Sequence, residues 1–282
     1  MKTILITGCS TGIGYAAAKI LNERGYKVIA SARKAEDVEK IKNELGVLAV
    51  RLDLADPKSI KEALNWTLQQ TGGRLDYLFN NGAFAIPCAV EDLSREALQY
   101  QLNACLLGWQ DLIVQVIPIM RSQGAGRIVN NSSVLGVAPM RYRGAYVATK
   151  FALEGLTDVL RMELYGSGIW VSLIEPGPIV SNFRKNSYEN FKKWVDFENS
   201  LHKEQYQEMI KRLESTKKAP FTKGADAVVD ALIKALESPK PKARYRVCGA
   251  TTIMAFAKRL LPTALMDSFV RKISREENKK YS

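Results

Sequence analysis

The sequence predicts an α/β fold in which helices cover both faces of a doubly wound (Rossmann-type) parallel sheet of about seven strands. Three observations predict it. Short apolar runs alternate with helical segments over the first 180 residues, the first run ends in a glycine-rich turn, and no linker divides the chain. Strands that alternate with helices form parallel sheets, because each crossover returns the chain to the same edge. The 282 residues are therefore expected to form one domain.

Strands are expected where apolar runs are closed by glycine or polar residues. They cover residues 2–7, 26–30, 48–52, 75–79, 127–131, 169–174 and 244–247. Helical periodicity predicts helices over 15–24, 35–45, from 56 onward, 95–122, 145–165, 225–237 and 251–272. After residue 178 the alternation stops, and an aromatic-rich helical insertion is expected over residues 183–214.

The formal charge of +12 is unevenly distributed. Residues 1–180 carry 19 basic and 17 acidic side chains, whereas residues 181–282 carry 22 and 12. The basic excess lies in the last third, which favours attraction of that end to an anionic surface. Nucleic acid is not expected as a partner of a nearly neutral body.

Neither a secretory leader nor an apolar run of ~20 residues is visible, so a cytoplasmic protein is expected. The cysteines Cys9, Cys88, Cys105 and Cys248 are widely separated, and His202 is the one histidine. A metal site is not expected, because zinc sites draw their ligands mainly from cysteine and histidine.

The stretch T-G-C-S-T-G-I-G at residues 7–14 places Gly8, Gly12 and Gly14 between the first strand and the first helix. Glycines there permit a tight turn and let a phosphate approach the free N–H groups of the helix. The lysine of a P-loop is missing after Gly12 and Gly14, so a nucleoside triphosphate is not expected. The position at the start of an alternating chain favours a dinucleotide.

The end of the second strand distinguishes the two dinucleotides. An acidic residue there binds a ribose 2′-hydroxyl, and an arginine accommodates a 2′-phosphate. Residues 30–34 read A-S-A-R-K, with no acid before Glu36. NADP (NADPH) is therefore favoured over NAD, with Arg33 as the phosphate ligand. Alternatively, Arg33 and Lys34 are only the solvated start of a helix.

A tyrosine and a lysine four residues apart on a helix place a phenol next to an ammonium group. The cation favours the phenolate, which makes the phenol a usable acid or base near neutrality. The spacing occurs three times, in the pairs Tyr15/Lys19, Tyr146/Lys150 and Tyr188/Lys192. Only Tyr146 has a serine 13 residues upstream, Ser133, directly after the strand at 127–131.

Six motifs in this order resemble the short-chain dehydrogenase/reductase family. They are T-G-x-x-x-G-I-G at 7–14, N-N-G-A at 80–83, Asn103, N-S-S-V-L-G at 131–136, Y-V-A-T-K at 146–150 and P-G-P-I-V-S at 176–181. The motifs cover about the first 180 residues. Each is weak alone, but the combination is specific.

The resemblance implies four catalytic residues. Tyr146 would protonate the carbonyl oxygen during reduction, or act as the base in the reverse direction. Lys150 would lower the pKa of the Tyr146 phenol and hold the nicotinamide ribose. Ser133 would hydrogen-bond the substrate oxygen, and Asn103 would hold a water in a proton relay.

The resemblance also implies a cofactor-binding set. Asp53 would contact the adenine, Asn80 would stabilise the sheet beside the ribose, and Ile179 and Ser181 would meet the carboxamide. The full set is Gly8, Ser10, Thr11, Gly12, Ile13, Gly14, Arg33, Asp53, Leu54, Asn80, Gly82, Tyr146, Lys150, Pro176, Gly177, Ile179 and Ser181. The family usually has N-N-A-G, so the exchange of Gly82 and Ala83 could shift the backbone or weaken cofactor binding.

Within the single domain of residues 1–282, three parts are expected. Residues 1–180 would bind the cofactor and catalyse, 181–222 would form a helical substrate lid, and 223–282 would add the last helix, the last strand and a basic amphipathic helical extension. The lid aromatics favour a hydrophobic carbonyl substrate, or they only pack the lid. The tail looks similar, more loosely, to that of bacterial aldehyde reductases, retinol dehydrogenases and 17-beta-hydroxysteroid dehydrogenases.

The sequence therefore predicts an NADP(H)-dependent oxidoreductase that reduces hydrophobic aldehydes or ketones. One alternative is an NAD-linked alcohol, hydroxysteroid or retinol dehydrogenase, and another is a cofactor-sensing binding protein without turnover. A homodimer or homotetramer is usual in the resembled family. The basic tail could rest on an anionic membrane surface, line the substrate entrance or cover another subunit.

Overall fold

The computed structural model describes residues 1–279, so the last three residues of the predicted tail lie outside the described residues. One sheet contains the strands β1 (Thr3–Ile6), β2 (Lys27–Ala32), β3 (Leu48–Arg51), β4 (Tyr77–Asn80), β5 (Gly126–Asn131), β6 (Ile169–Glu175) and β7 (Arg244–Arg246). All neighbouring strands are parallel, in the order β3-β2-β1-β4-β5-β6-β7. The predicted fold class is confirmed.

Helices cover both faces of this sheet. They are α1 (Gly12–Glu23), α2 (Ala35–Leu45), α3 (Pro57–Thr71), α4 (Arg95–Leu102), α5 (Gly108–Ser122), α6 (Gly144–Glu163), α7 (Phe183–Trp194), α8 (Lys203–Glu214), α9 (Asp226–Glu237), α10 (Gly249–Leu260) and α11 (Thr263–Lys279). Alternate residues of β1 enter different apolar clusters. Ile4 and Ile6 pack with α1, α2 and α9, whereas Leu5 packs with α3 and α5. Strands buried on both faces explain the continuous apolar runs in the sequence.

The strand order reverses between β1 and β4. The chain first builds outward from β1 to β3 and then crosses back to build from β4 to β7. Such a reversal opens a crevice at the carboxyl ends of the strands, where ligands bind in doubly wound sheets. The glycine turn after β1 and the segment after β4 border this crevice.

The long helix predicted over residues 95–122 is interrupted by a π-helical turn at Asn103–Leu107 between α4 and α5. By length and composition alone the stretch Arg95–Ser122 could cross a membrane, because an 18-residue window within it has a mean hydropathy of 1.4. However, Leu112, Val116 and Met120 are fully buried in the cluster that covers the sheet. Packing against the core accounts for the apolar character of this helix.

The C-terminal third differs from the sequence-based expectation in one respect. The helix predicted over residues 251–272 is instead two helices, α10 and α11, which separate at Leu261 and Pro262. Proline has no N–H to donate and disfavours helical backbone in the residue before it, so the helix ends there. The insertion over 183–214 forms α7 and α8, which we call the lid.

All four cysteines are free and buried. Cys9 lies in the glycine turn, Cys88 lies beneath the lid, Cys105 lies in the π-helical turn, and Cys248 precedes α10. Each therefore marks a different part of the crevice.

Candidate active site

The glycine turn after β1 has the backbone that the sequence predicts. Gly8 and Gly12 have φ values of +72° and +62°, which side chains other than glycine rarely adopt. A Cβ on Gly8 would lie 2.4 Å from the Cα of Gly82. At the start of α1 the Thr11 side chain makes no capping hydrogen bond. The N–H groups of the first helical turn are thus available to an anion, which suits a dinucleotide phosphate.

Asn81, which the sequence analysis did not select, holds this turn in place. Its Nδ2 donates to the carbonyl oxygen of Thr7 at 3.0 Å, and its Oδ1 accepts from Nδ2 of Asn131 at 2.9 Å. The two asparagines therefore tie the ends of β1, β4 and β5 together. The N-N-G-A motif contains both asparagines, and the sequence analysis selected only Asn80 from it.

Asn80, which was expected to stabilise the sheet beside the ribose, links neighbouring strands. Its side chain is fully buried and donates to Oδ1 of Asn130 at 3.0 Å. Asn130 in turn donates to Oγ1 of Thr157 on α6 at 3.0 Å. The Asn80 side chain therefore joins β4 to β5 and, through Asn130, to α6.

Gly82 and Gly108 bring the far wall of the crevice close. A Cβ on Gly108 would lie 1.8 Å from the carbonyl oxygen of Leu54, and a Cβ on Gly82 would lie 3.1 Å from the Leu54 side chain. Asp53 accepts a hydrogen bond from the N–H of Ala55 at 3.0 Å. Residues 53–54 are therefore held against α5 and the segment after β4.

Arg33 lies directly after β2. Its Nη1 donates to the hydroxyl of Tyr100 at 3.2 Å, and its carbonyl oxygen accepts from Nε of Arg51 at 3.2 Å. Both Arg33 and Arg51 are solvent-exposed. The end of β2 thus presents positive charge to the crevice.

The segment after β6 closes the other side. The N–H of Val134 donates to the carbonyl oxygen of Pro176 at 2.7 Å. A Cβ on Gly177 would lie 2.9 Å from the Cβ of Cys248, and one on Gly12 would lie 3.1 Å from the Cβ of Ser181. Pro176, Gly177 and Ser181 are therefore packed between the serine loop, α10 and the glycine turn. Ile179 continues this segment through a β-bridge to Lys223.

Three further residues of the expected cofactor-binding set, Ser10, Ile13 and Gly14, lie in the glycine turn after β1 and at the start of α1. Ser10 is half-buried between Gly8 and Gly12, Ile13 packs on the apolar cluster beneath α1, and Gly14 faces the Gly8 carbonyl, 2.2 Å from a Cβ placed there. Close packing explains the third glycine.

Tyr146 and Ser133 meet at the carboxyl edge of the sheet. Tyr146 lies on the first turn of α6 and is buried, and its phenol interacts with the Ser133 side chain. The Ser133 hydroxyl accepts a hydrogen bond from the N–H of Leu135 at 3.1 Å. Burial raises the pKa of Tyr146, the nearby Cys105 adds to this, and the Ser133 hydroxyl acts in the opposite direction.

Lys150 lies one helical turn further along α6 and is fully buried. Its Nζ donates to the carbonyl oxygen of Asn131 at 2.7 Å and lies 5.5 Å from the ring centre of Tyr146. Burial lowers the pKa of Lys150 to about 8, while Cys105 and Glu154 act to raise it.

Trp109 is a further residue that the sequence analysis did not select. The Lys150 ammonium lies 4.3 Å from the Trp109 ring centre, and Nε1 of Trp109 donates to the carbonyl oxygen of Gly82 at 2.9 Å. Trp109 thus supports the lysine and the segment after β4 at once. No motif spacing indicates this contact, because the π-helical turn changes the direction of the side chains that follow it.

Asn103 is the first residue of that π-helical turn and is half-buried. The turn packs against α6, and Cys105 within it affects the pKa of both Tyr146 and Lys150. The structure therefore places the Asn103 turn beside the Tyr–Lys pair.

The other two Tyr–Lys pairs lie elsewhere. The Tyr15 hydroxyl donates to Glu44 on α2, and Lys192 pairs with Glu189 on the lid. Neither pair lies on α6 beside Ser133.

Comparison with known proteins agrees with this arrangement. Residues 2–192 match the family described as short chain dehydrogenase. The chain is 39% identical over 270 residues to the uncharacterized oxidoreductase YbbO of Escherichia coli strain K12, which covers 96% of this chain and 94% of that protein. It is 29% identical over 280 residues to retinol dehydrogenase 16 of Mus musculus, covering 95% and 87%.

Among solved structures, a short chain dehydrogenase/reductase from Burkholderia phymatum in complex with NAD matches with a TM-score of 0.78. The match is 21% identical and covers 92% of each chain, so it supports the fold. The family match and the 39% identical relative establish membership. This chain is an oxidoreductase of the NAD(P)-dependent short-chain dehydrogenase/reductase family.

Proposed function

We propose that this protein uses NADPH to reduce hydrophobic aldehydes or ketones to alcohols. The observation that carries the proposal is the Tyr146 phenol, which interacts with Ser133 and lies one turn from Lys150, at the sheet edge where the glycine turn lies. The cofactor supplies the hydride to the carbonyl carbon.

The chain's own residues handle the proton. Ser133 donates a hydrogen bond to the substrate oxygen as negative charge develops there. Tyr146 gives its proton to that oxygen, so that an alcohol forms. The Lys150 ammonium, held by the Asn131 carbonyl, stabilises the phenolate that remains. Asn103 lies on the turn beside this pair and would hold the water that returns the proton.

NADPH is favoured over NADH by the end of β2. Arg33 is exposed there, is oriented by Tyr100, and has no carboxylate partner among the described residues. A guanidinium forms strong paired hydrogen bonds with a phosphate. An NAD-linked alcohol, hydroxysteroid or retinol dehydrogenase remains the runner-up.

The surroundings of the phenol favour an apolar substrate. Tyr146 packs in one cluster with Ala85 and Leu135, and the Phe183 ring of the lid lies 5.4 Å from the Tyr146 ring. Val134 and Met140 border this cluster and also pack on Met254 and Met266 of the C-terminal helices. These walls offer a carbonyl compound mostly apolar contact.

We also propose that two copies of the chain associate. α5 and α6 expose apolar side chains to solvent, which are Val114, Phe151, Val159 and Met162. Clustered apolar exposure of this kind marks interfaces, and a symmetric pair would bury it. Light scattering should give a dimer or tetramer, and Met162→Glu should lower the mass. A monomeric wild type would contradict this.

The protein is proposed to act in the cytoplasm, in contact with anionic lipid through α10. Ile253, Phe256 and Leu260 recur at helical spacing and are each at least half exposed, whereas the neighbouring face with Met254 packs inward. The Arg246 guanidinium lies 5.9 Å from the Phe256 ring. An exposed apolar stripe bordered by basic groups suits an anionic lipid surface.

Vesicle cosedimentation tests this contact. Binding should occur with phosphatidylglycerol-containing vesicles, should be weaker with phosphatidylcholine alone, and should fall for Phe256→Ser. Tyr165→Ser removes a ring that is even more exposed, at the other end of the sheet, and should bind as wild type does. If Phe256→Ser instead changes the molecular mass without affecting vesicles, a second copy covers the stripe and the lipid proposal fails.

The reaction itself is tested with NADPH and NADH against a panel of short aldehydes, decanal, retinal and a keto-steroid. Turnover with NADPH that increases with chain length is expected. Arg33→Ala should reduce kcat/KM for NADPH by about 10- to 100-fold and leave NADH nearly unchanged. Lys34→Ala is the matched control, because Lys34 pairs with Glu36. Tight NADPH binding with no turnover on any compound would favour a cofactor-sensing protein.

A further inference from the structure

The catalytic helix carries four ionisable side chains at intervals of four residues. They are Tyr146, Lys150, Glu154 and Asp158, and this spacing places them along one face of α6. The proposed reaction uses the first two. Glu154 follows Lys150 in this series, and its side chain is buried. Burying a carboxylate costs free energy unless neighbouring groups compensate for it.

One oxygen of Glu154 joins a partly buried ionic network. Arg244 on β7 contacts Oε2 of Glu154 at 3.2 Å, Oδ2 of Asp158 at 2.6 Å and Oε1 of Glu175 at 3.0 Å. Arg246 contacts the other oxygen of Glu175 at 3.2 Å. Glu175 is the last residue of β6 and directly precedes Pro176, so the network joins α6 to the segment that flanks the cofactor crevice.

The other oxygen of Glu154 faces the serine loop. Ser132 lies directly before Ser133, and its hydroxyl acts to lower the pKa of Glu154. Oε1 of Glu154 and Oγ of Ser132 are both buried, and neither has a hydrogen-bond partner among the described residues. A Cβ on Gly136 would lie 2.6 Å from Oγ of Ser132 and 3.2 Å from Oε1 of Glu154. Glycine at 136 thus leaves these two atoms room to face each other.

We propose that Glu154 is a positioning residue, whose buried carboxylate holds the serine loop against α6 one helical turn from Lys150. The inference rests on the proposed function, because it assigns Glu154 to the Ser133, Tyr146 and Lys150 machinery. Glu154 does not itself touch the substrate. It acts on the site through two neighbouring residues, Ser132 and Lys150.

The charges around Glu154 support this assignment. Burial raises the pKa of Glu154 to about 7, Ser132 and Arg244 act to lower it, and Glu175 acts to raise it. The negative charge of Glu154 acts to raise the pKa of Lys150. The charged groups facing Glu154 are Lys150 and Asp158 on α6, Glu175 on β6 and Arg244 on β7. Ionised Glu154 therefore favours protonated Lys150 from neutrality upward.

The test compares Glu154→Gln with Asp158→Asn. Each variant removes one carboxylate from Arg244, but only Glu154 also faces Ser132 and Lys150. The pH dependence of kcat is measured with NADPH from about pH 5.5 to 9. Glu154→Gln should match the wild type at low pH, where Glu154 is neutral, and should lose activity above pH 7. The alkaline limb of its pH–kcat profile should lie about one pH unit lower than that of the wild type. At a given pH on that limb, kcat should therefore be roughly tenfold lower.

Asp158→Asn should leave the profile in place. An equal loss for Glu154→Gln at every pH would indicate a purely structural effect, and an equal shift in both variants would assign the effect to Arg244. Either result overturns the proposal.

A second measurement does not need turnover. NADPH binding is followed by fluorescence while the pH is raised. Binding should begin to weaken at a lower pH in Glu154→Gln than in the wild type, because Lys150 of the variant loses its proton at a lower pH. If the wild type binds NADPH but reduces no carbonyl, the proposed reaction fails, and this binding profile still decides the role of Glu154.

Discussion

The catalytic floor and the lid of this molecule are held together by different kinds of contact. We call the segments 7–14, 80–83, 131–136, 146–150 and 176–181 the catalytic floor. In the floor, backbone meets backbone, as where Gly8 approaches Gly82 and where Val134 donates to Pro176. In the lid, side chain meets side chain, as where the Phe191 and Tyr206 rings lie 5.1 Å apart.

The difference explains what each region can tolerate. A backbone contact requires glycine or a short polar residue at a fixed position, because any larger side chain would collide. An aromatic cluster accepts many combinations of similar volume. Each position of the floor therefore accepts few residue types, whereas the lid can change its side chains to suit a different substrate.

Tyr146→Phe should have the largest effect, because it removes the proton donor of the floor and keeps its ring. We expect turnover with NADPH to fall by roughly 10²- to 10⁴-fold. NADPH affinity, measured by calorimetry, should stay within about threefold of wild type. Turnover above about a tenth of wild type would mean that another group is the acid.

Gly108→Ala tests a close backbone contact of the same kind beside the floor, between Gly108 and Leu54. The added methyl would lie 1.8 Å from the Leu54 carbonyl oxygen, and we expect the free energy of unfolding to fall by about 2 to 3 kcal/mol. Gly155→Ala on α6 is the control, because nothing lies within 4 Å of its new methyl. That control should gain up to about 1 kcal/mol, since alanine favours helix. Urea denaturation measures both, and equal stabilities would refute the argument.

Lys150→Met separates function from stability in the floor. Activity should be lost, yet the free energy of unfolding near pH 7 should rise by about 1 to 3 kcal/mol, because an apolar side chain replaces a buried charge.

The sign follows from the pKa of Lys150, which burial lowers to about 8. In the wild type, burial of the charged Lys150 ammonium destabilises the fold fully below that pH. This destabilisation disappears as the pH rises toward about 10.4, the pKa of an exposed lysine. The advantage of the variant should therefore shrink above pH 8. Denaturation midpoints that differ by the same amount from pH 7 to 10 would contradict this.

Phe183→Ala should have the smallest effect, because it trims one lid contact and leaves the floor intact. We expect kcat/KM for decanal to fall by about 3- to 10-fold, since an apolar contact of a few methylenes is lost. A short aldehyde, which does not reach the lid, serves as the internal control. Equal losses for both aldehydes would show that Phe183 acts on the floor instead.

The contrast between floor and lid also sets what the sequence could predict. The strands, the glycine turn and the Ser133–Tyr146–Lys150 set were recognisable, because local constraints leave characteristic residues at fixed spacings. Asn81, Trp109 and Glu154 were not, because each acts through partners that only the folded chain brings near.

Two errors of element prediction have similar causes. The π-helical turn at Asn103–Leu107 arises within a continuous helical pattern, so periodicity did not indicate it. The break at Pro262 was readable in principle, because proline ends helices, but the apolar pattern continued across it. The lid rings were predicted as a group, and their individual contacts were not.

The four buried thiols give the molecule a set of native reporters for local opening. Burial raises the pKa of Cys9 and of Cys88 to about 12 in each case. Alkylating reagents attack thiolates, so the closed protein should be almost inert to iodoacetamide at neutral pH. Labelling then records how often each part opens. Cys88 beneath the lid should react before Cys9 in the floor, and mass spectrometry of the labelled peptides would time the two motions without any engineered probe.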